Sequence, residues 1–496
     1  TNTLIGVVRD AHHWVALDGT RLAALGTDKK LYIYADDVLY DITPTRQANS
    51  AVSNIFTTVN GTPNVTVNVN GHGANEGDIV TFSGTTGLSG TSFTAENFDR
   101  SFEIQSVTGT NAFVIQQDAN ETTGSVTTGT ATATFDINSA PPFSTFGYGW
   151  GTSTWNTETW NTPRSSSSVT LNGRDWSIDN FGELMIATAL DGSTFQWSPT
   201  TDGLSGKASA VTGAPTASKF SLVSTPDRHL ILFGTEKTIG TGGSQDPLLL
   251  RFSSQEDINT YEPRATNTAG SLRIQDGSTI VGADKARGQI LVWTDTSLHG
   301  LQFIGPPFTF GLNQLGKNCG LLGQHAAVVV RDVSYWMGQN AFFVYDGTVK
   351  KLPCSVDDFV FENIDLTQTD QIFAGVNTEF AEIIWFYVTN PDNVTDPQIN
   401  KCVVYNYLEQ SWAVGTLNRT SWVDRGVFQN PLATEYLKDS VANATPTVIG
   451  LSNGVSKYYR HEFGTDDDGA AMNAFIQTGD FNIDEGGEQL MRISRF

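Results

Sequence analysis

The chain has 496 residues, 39% hydrophobic and 11% aromatic, enough for a large core and long for one ordinary domain of about 100–200 residues. Its 48 Gly against 4 Met, with no long run of helix formers, exclude a helical bundle and favour short strands joined by turns. A net charge of −23, from 52 acidic and 29 basic residues, excludes a nucleic-acid grip built on Lys and Arg, but not a wall along which DNA slides; plain solubility is the ordinary alternative.

In chain order, residues 1–46 carry the first blade-like strands, with Leu31–Tyr34 and Val38–Ile42 as short apolar runs. From Gln47 to Ala140 there is no Trp, Tyr or Lys, and Arg100 and His72 are the only basic side chains. Apolar residues alternate with polar ones through Val65–Val69, Ile79–Phe82, Phe102–Val107, Ala112–Ile115 and Ala131–Phe135, separated by Gly and Asn turns. That period predicts an inserted small antiparallel barrel or sandwich over 47–140, with Phe82, Phe102, Phe113 and Phe135 in its core. Residues 141–173 form a Gly- and Trp-rich connector in which Trp150, Trp155 and Trp160 match neither a helix face nor a strand face. Such rings pin a loop to the main body, or serve as an inter-subunit contact, where Trp is enriched.

Residues 174–496 repeat one pattern: an apolar strand, a polar turn, a second apolar strand, an Asp/Gly turn, then an aromatic strand. With Arg21–Thr43 the units are Asp175–Trp197, Phe220–Phe252, Thr279–Ile304, Ala326–Leu352, Gln371–Trp422 and Gly426–Phe463. Strands repeating at this kind of spacing resemble WD40 or kelch blades. The fold class is therefore all-β: an irregular propeller of about seven blades, carrying the inserted β-domain. The strand-like segment Phe475–Phe496 is expected to complete a blade begun near the N-terminus. The first residue is Thr1, with no signal-like segment, and the last is Phe496 inside a strand-like pattern; both ends are expected to continue. No apolar stretch approaches the about 18 residues of a membrane span.

Candidate chemistry is sparse. Cys319, Cys354 and Cys402 are far apart and read as small buried hydrophobes of a protein assembled in a reducing cytoplasm. His12 and His13 would point to opposite faces of a strand, and His299 and His325 each stand alone in an apolar context. Ile239–Gly243 is Gly-rich but reads as a turn. The Asp466-Asp467-Asp468 run reads as a solvated acidic loop, because it lacks the spacing of a calcium loop. No catalytic, cofactor or metal residue is assigned, and the expectation is a protein that is not an enzyme.

Several phrases carry a resemblance: Trp176–Ala187 (WSIDNFGELMIA), Gln245–Asp257, Ala269–Arg273, Ile290–Asp295, Tyr335–Gly338 with Tyr345–Gly347, and Tyr405–Trp412. Together they resemble the tail structural proteins of short-tailed bacteriophages (podoviruses), over roughly 10–45 and 174–496. His72–Gly84 is similar to a small β-barrel module of phage tail proteins and to a half-domain of ubiquitin-activating enzymes. The resemblance implies a nozzle or hub subunit, a homohexameric ring below the head-to-tail adaptor that carries tail fibres or spikes. Such a ring retains packaged DNA and lets it leave without sequence-specific binding; the protein would be assembled in the host cytoplasm and reside in the virion. The alternative is a host-receptor-binding or glycan-degrading tail protein, since Ala189–Phe195 weakly resembles the Asp-turn of sialidase blades.

Overall fold

The computed structural model describes residues 3–146, 170–305, 307–389, 397–438, 448–451 and 454–471. Seven four-stranded antiparallel sheets account for most of the chain. Their inner strands are Val8–Val15, Trp176–Phe181, Phe220–Ser224, Ile280–Ala286, Ala327–Val330, Phe373–Asn377 and Ser421–Val423, for blades 1 to 7. Each inner strand packs on the next, and the seventh packs on the first. The architecture is a closed seven-bladed β-propeller.

Closure differs from the expectation at the C-terminus. The outer strand of blade 7 is the N-terminal strand Thr3–Ile5, whose residues Thr3, Leu4 and Ile5 pair with Lys457, Ser456 and Val455. Leu4 is fully buried there. All seven blades thus reach four strands within the described residues, and Phe475–Phe496 lies outside them.

Tryptophans lock neighbouring blades. The Trp176 indole donates to Thr27 O at 2.7 Å, Trp385 to Ala326 O at 3.0 Å, and Trp422 to Val376 O at 2.8 Å. An indole buried without a partner would forfeit its hydrogen bond to water, so each ring takes a neighbour's carbonyl while its body fills the gap between sheets. Two of these rings need glycine beneath them. A methyl group at Gly26 would sit 2.6 Å from Trp176 Cδ1, and one at Gly375 equally close to Trp422 Cδ1.

The strands from Thr45–Thr58 to Thr127–Asp136 form one further sheet between blades 1 and 2. Strand Ser101–Glu103 and strand Ala112–Gln116, on either side of it, contribute Phe102 and Phe113 to one core. Phe82 and Phe135 are buried with them, and Phe56 stacks on Phe98 with centroids 3.7 Å apart. The eighth strand of this sheet, Val448–Ile449, comes from blade 7 and pairs in parallel with Ser101 and Phe102.

Residues 462–496 form a separate unit. Its described part is a hairpin pairing Asp466–Asp467 with Ala470–Ala471.

Candidate functional site at the propeller axis

Strand direction fixes the two ends of the propeller. Inner strands start at the end that carries the inserted domain and finish at the opposite end, here the far end. Charged side chains converge on the axis near those starts. His325, two residues before the inner strand of blade 5, reaches across to blade 2. Its Nε2 lies 3.1 Å from Asp175 Oδ1 and 3.0 Å from Trp176 O, and its ring stacks on Phe373 of blade 6. Burial works against the imidazolium, but Asp175 and Asp10 outweigh it and raise the pKa to about 9. Asp10 is itself pushed up by burial, with His325 opposing. The side chain therefore stays a cation at neutral pH, held between carboxylates.

The axis is bridged a second time further along. Lys285, from blade 4, places Nζ 2.6 Å from Asp179 Oδ2 of blade 2. Asp284 next to it is raised to about 6 by burial, against the opposing pull of its backbone hydrogen bond and Lys285. With two bridges across it, the centre of this propeller is a cross-braced core.

A repeated device underlies the braces. Asp10 accepts the N–H of Ala11 at 2.8 Å and of Ile178 on the neighbouring inner strand at 2.7 Å. Asp179 does the same with Asn180 and with Val223 on blade 3, both at 2.8 Å. Asp424 does so with Arg425 at 2.8 Å and Thr378 at 3.2 Å. Inner-strand edges carry N–H groups that no fifth strand can satisfy, and a carboxylate accepting two of them ties one blade to the next.

At the insert end, the chain returning from the inserted domain is strapped over the axis. Ser144 Oγ donates to Asp370 Oδ2 at 2.6 Å, and Gln368 Nε2 donates to Ser144 O at 2.8 Å. Arg9 donates to Pro142 O, and to Gln398 Oε1 at 3.0 Å. The inserted domain is fixed by two buried ion pairs. Lys29 Nζ meets Glu103 Oε2 at 2.6 Å, with side-chain exposures of 2% and 3%, and Lys30 bridges Asp41 and Asp136 at 2.6 and 3.1 Å. Ile5, Ile79 and Val448 form a small apolar cluster at the same junction.

The residues singled out from sequence fall elsewhere. Trp150, Trp155 and Trp160 lie outside the described residues. Asp466 accepts the N–H of Gly469 at 3.1 Å within its exposed hairpin turn. Among the described residues, no group of three or more His, Cys, Asp or Glu side chains is placed to hold a metal ion. His12 and His13 do face opposite ways: His12 Nε2 meets Asn180 Oδ1 at 2.8 Å, and His13 Nε2 meets Tyr458 OH at 2.6 Å. Burial and His12 push His13 down to about 3. His325 does not stand alone, because its partners lie about 150 residues away in sequence. The signal that could have found the axis is an Asp recurring in inner strands, at Asp10, Asp179 and Asp284, and just after one, at Asp424. A cavity of about 340 Å³ opens between blades 3 and 4, walled by Ile290, Leu301, Phe303 and Phe310.

A seven-bladed propeller with an inserted β-domain is the class that this fold defines. No protein-family model and no curated protein matches the chain. Among solved structures, Saccharomyces cerevisiae Sqt1 is similar at 9% identity and a TM-score of 0.32, over 52% of this chain and 81% of that one. The endosialidase of phage phi92 aligns at 10% identity and a TM-score of 0.19, over 96% of this chain but 59% of its own length. An S. cerevisiae complex of a dbp5 variant with nup159, a gle1 variant, IP6 and ADP aligns at 11% and 0.31, over 54% and 66%. This chain thus spans under two thirds of the endosialidase and of the last structure. At such TM-scores nothing about activity or partners follows. No described helix is long and apolar enough to cross a membrane.

Proposed function

We propose that this chain is a structural subunit of a short-tailed phage tail, a nozzle or hub whose copies surround a passage for DNA. The passage lies between copies, since the propeller's own axis is bridged by His325–Asp175 and Lys285–Asp179. The observation that carries the reading is where the acid excess sits. Among the described residues ten acidic and five basic side chains are buried, a difference of five negative charges against the chain's net −23. A rigid body that keeps carboxylates outside suits a wall past which a duplex moves without sticking. Buried ion pairs and a shared sheet hold the inserted domain to the propeller, as load across such a wall requires. The sequence phrases described above supply the phage-tail assignment itself.

Negative-stain imaging of the isolated chain and of virion tails tests this. A ring of copies beneath the adaptor is expected, and DNA should leak from particles lacking the chain. A chain that never assembles and is missing from the virion refutes it. Release of reducing sugar from a host surface polysaccharide would favour the glycan-degrading alternative instead.

A further inference from the structure

Propellers leave seven outer strands with one edge open, and such edges are normally kept short or guarded by charge. Here the outer strands Thr3–Ile5, Val38–Asp41, Ser209–Ala210, Gly270–Arg273 and Val349–Lys351 span two to four residues. Three of these five also carry Asp, Arg or Lys within the strand. Blades 4 and 6 break the pattern. The outer strand of blade 4, Thr309–Lys317, runs nine residues with its one charge at its last residue, Lys317, and no Asp, Glu, Lys or Arg occurs from Thr296 to Gly316. The outer strand of blade 6, Ser411–Gly415, lies in an uncharged run from Gln410 to Asn418. Among the described residues neither edge is paired with a further strand.

Both strands also begin at an exposed apolar tip, at the same far end of the propeller. Phe308 (73% exposed) and Ile304 (55%) cap the hairpin of blade 4, and Leu408 (66%) caps that of blade 6, with Val414 (44%) on its strand. We propose that these two edges are the two halves of a head-to-tail contact between copies of this chain: Thr309–Lys317 of one copy against Ser411–Gly415 of the next. Because both strands run from the far end toward the insert end, copies with parallel axes pair them in parallel, which brings Phe308 beside the next copy's Leu408. A second copy is the occupant that the charges favour. Two bodies each carrying −23 repel least where neither strand carries a carboxylate, whereas a basic partner gains nothing there. Two different surfaces on one chain make a heterologous contact, which closes into a ring when the rotation allows. This inference rests on the ring reading above and names its interface.

The test is the mass distribution of the full chain by mass photometry across concentrations, for wild type, Phe308→Lys, Val414→Lys and a Leu17→Lys control. Each Lys lowers the net negative charge, so a general charge effect would favour association. Phe308→Lys and Val414→Lys should each weaken association about tenfold or more, with unchanged circular dichroism. Leu17→Lys, also exposed at the far end, should assemble as wild type does. Mixing the two defective variants should give dimers that grow no further, since each retains one intact edge. Wild-type rings that survive both substitutions overturn this interface and leave the tail-subunit reading standing. A wild-type chain that stays monomeric and is missing from virions overturns both. If Phe308→Lys dissociates while Val414→Lys assembles normally, the contact is a two-fold pairing of one edge, and the head-to-tail proposal fails.

Discussion

Replacing His325 with Gln changes the charge at the centre of the propeller while keeping a side chain able to donate to Trp176 O. The folded chain holds the imidazolium to about pH 9, against 6.5 for the free side chain, with Asp175 and Asp10 outweighing the cost of burial. At about 1.4 kcal/mol per tenfold in affinity for a proton, the cation contributes about 3 kcal/mol. Its folded pKa is raised, so this contribution is fully present below about pH 6.5 and is lost as the pH rises toward 9. The side chain is 17% exposed, which leaves little screening by solvent. Urea unfolding at half-unit steps from pH 6 to 9.5 is the assay. The stability difference between wild type and His325→Gln should shrink by about 3 kcal/mol across that range. A difference that stays constant with pH refutes the picture of a charged histidine bracing blade 5 to blade 2.

Lys29→Met leaves Glu103 buried without its cation and should cost about 3–5 kcal/mol, whereas Lys29→Met with Glu103→Leu should recover most of that. Equilibrium denaturation reads this, and equal losses in the single and double variants would count against it. Leu4→Ala removes the buried side chain of the closing strand and should cost about 2–5 kcal/mol; amide exchange should quicken first at Val455–Arg460, and exchange unchanged there would contradict the closure. Gly26→Ala drives a methyl group into Trp176 and should cost about 1–3 kcal/mol by overpacking. Thermal melting checks it, and a neutral result would mean that the indole can move aside.

Much of the propeller was legible because a blade is a local object. Runs such as Leu230–Phe233 and Gln289–Trp293 are apolar, bounded by turns, and pair with their chain neighbours. The inner strand Val8–Val15 was harder, since Arg9, Asp10, His12 and His13 give it the look of a polar segment. In the structure those residues bond to blades 2 and 7 and to chain crossing the axis, partners far away in sequence. Similarly, the sequence unit Gln371–Trp422 ran into the inner strand of blade 7, because Ser421–Val423 is three residues long and a polar loop separates it from its partner Leu432–Leu437. The parallel strand Val448–Ile449 left no trace, for two residues show no period. The axial braces were invisible for the same physical reason as the closure: spacing reports neighbours along the chain, and these contacts join distant ones.

The pairing of Thr3–Ile5 with Val455–Arg460 also governs timing. Strand Thr3–Ile5 has no partner until its pairing residues Val455–Lys457, more than four hundred residues later, have been made. Blades 2 to 6 can form one after another as they emerge, but the circle stays open until the last blade arrives. Joining chain segments so far apart is slow relative to local hairpin formation. An unclosed propeller exposes the buried faces of its terminal blades, so the closing step separates an adhesive nascent chain from a finished propeller. This arrangement gives folding a natural checkpoint, because the two strands at the seam of the ring meet last.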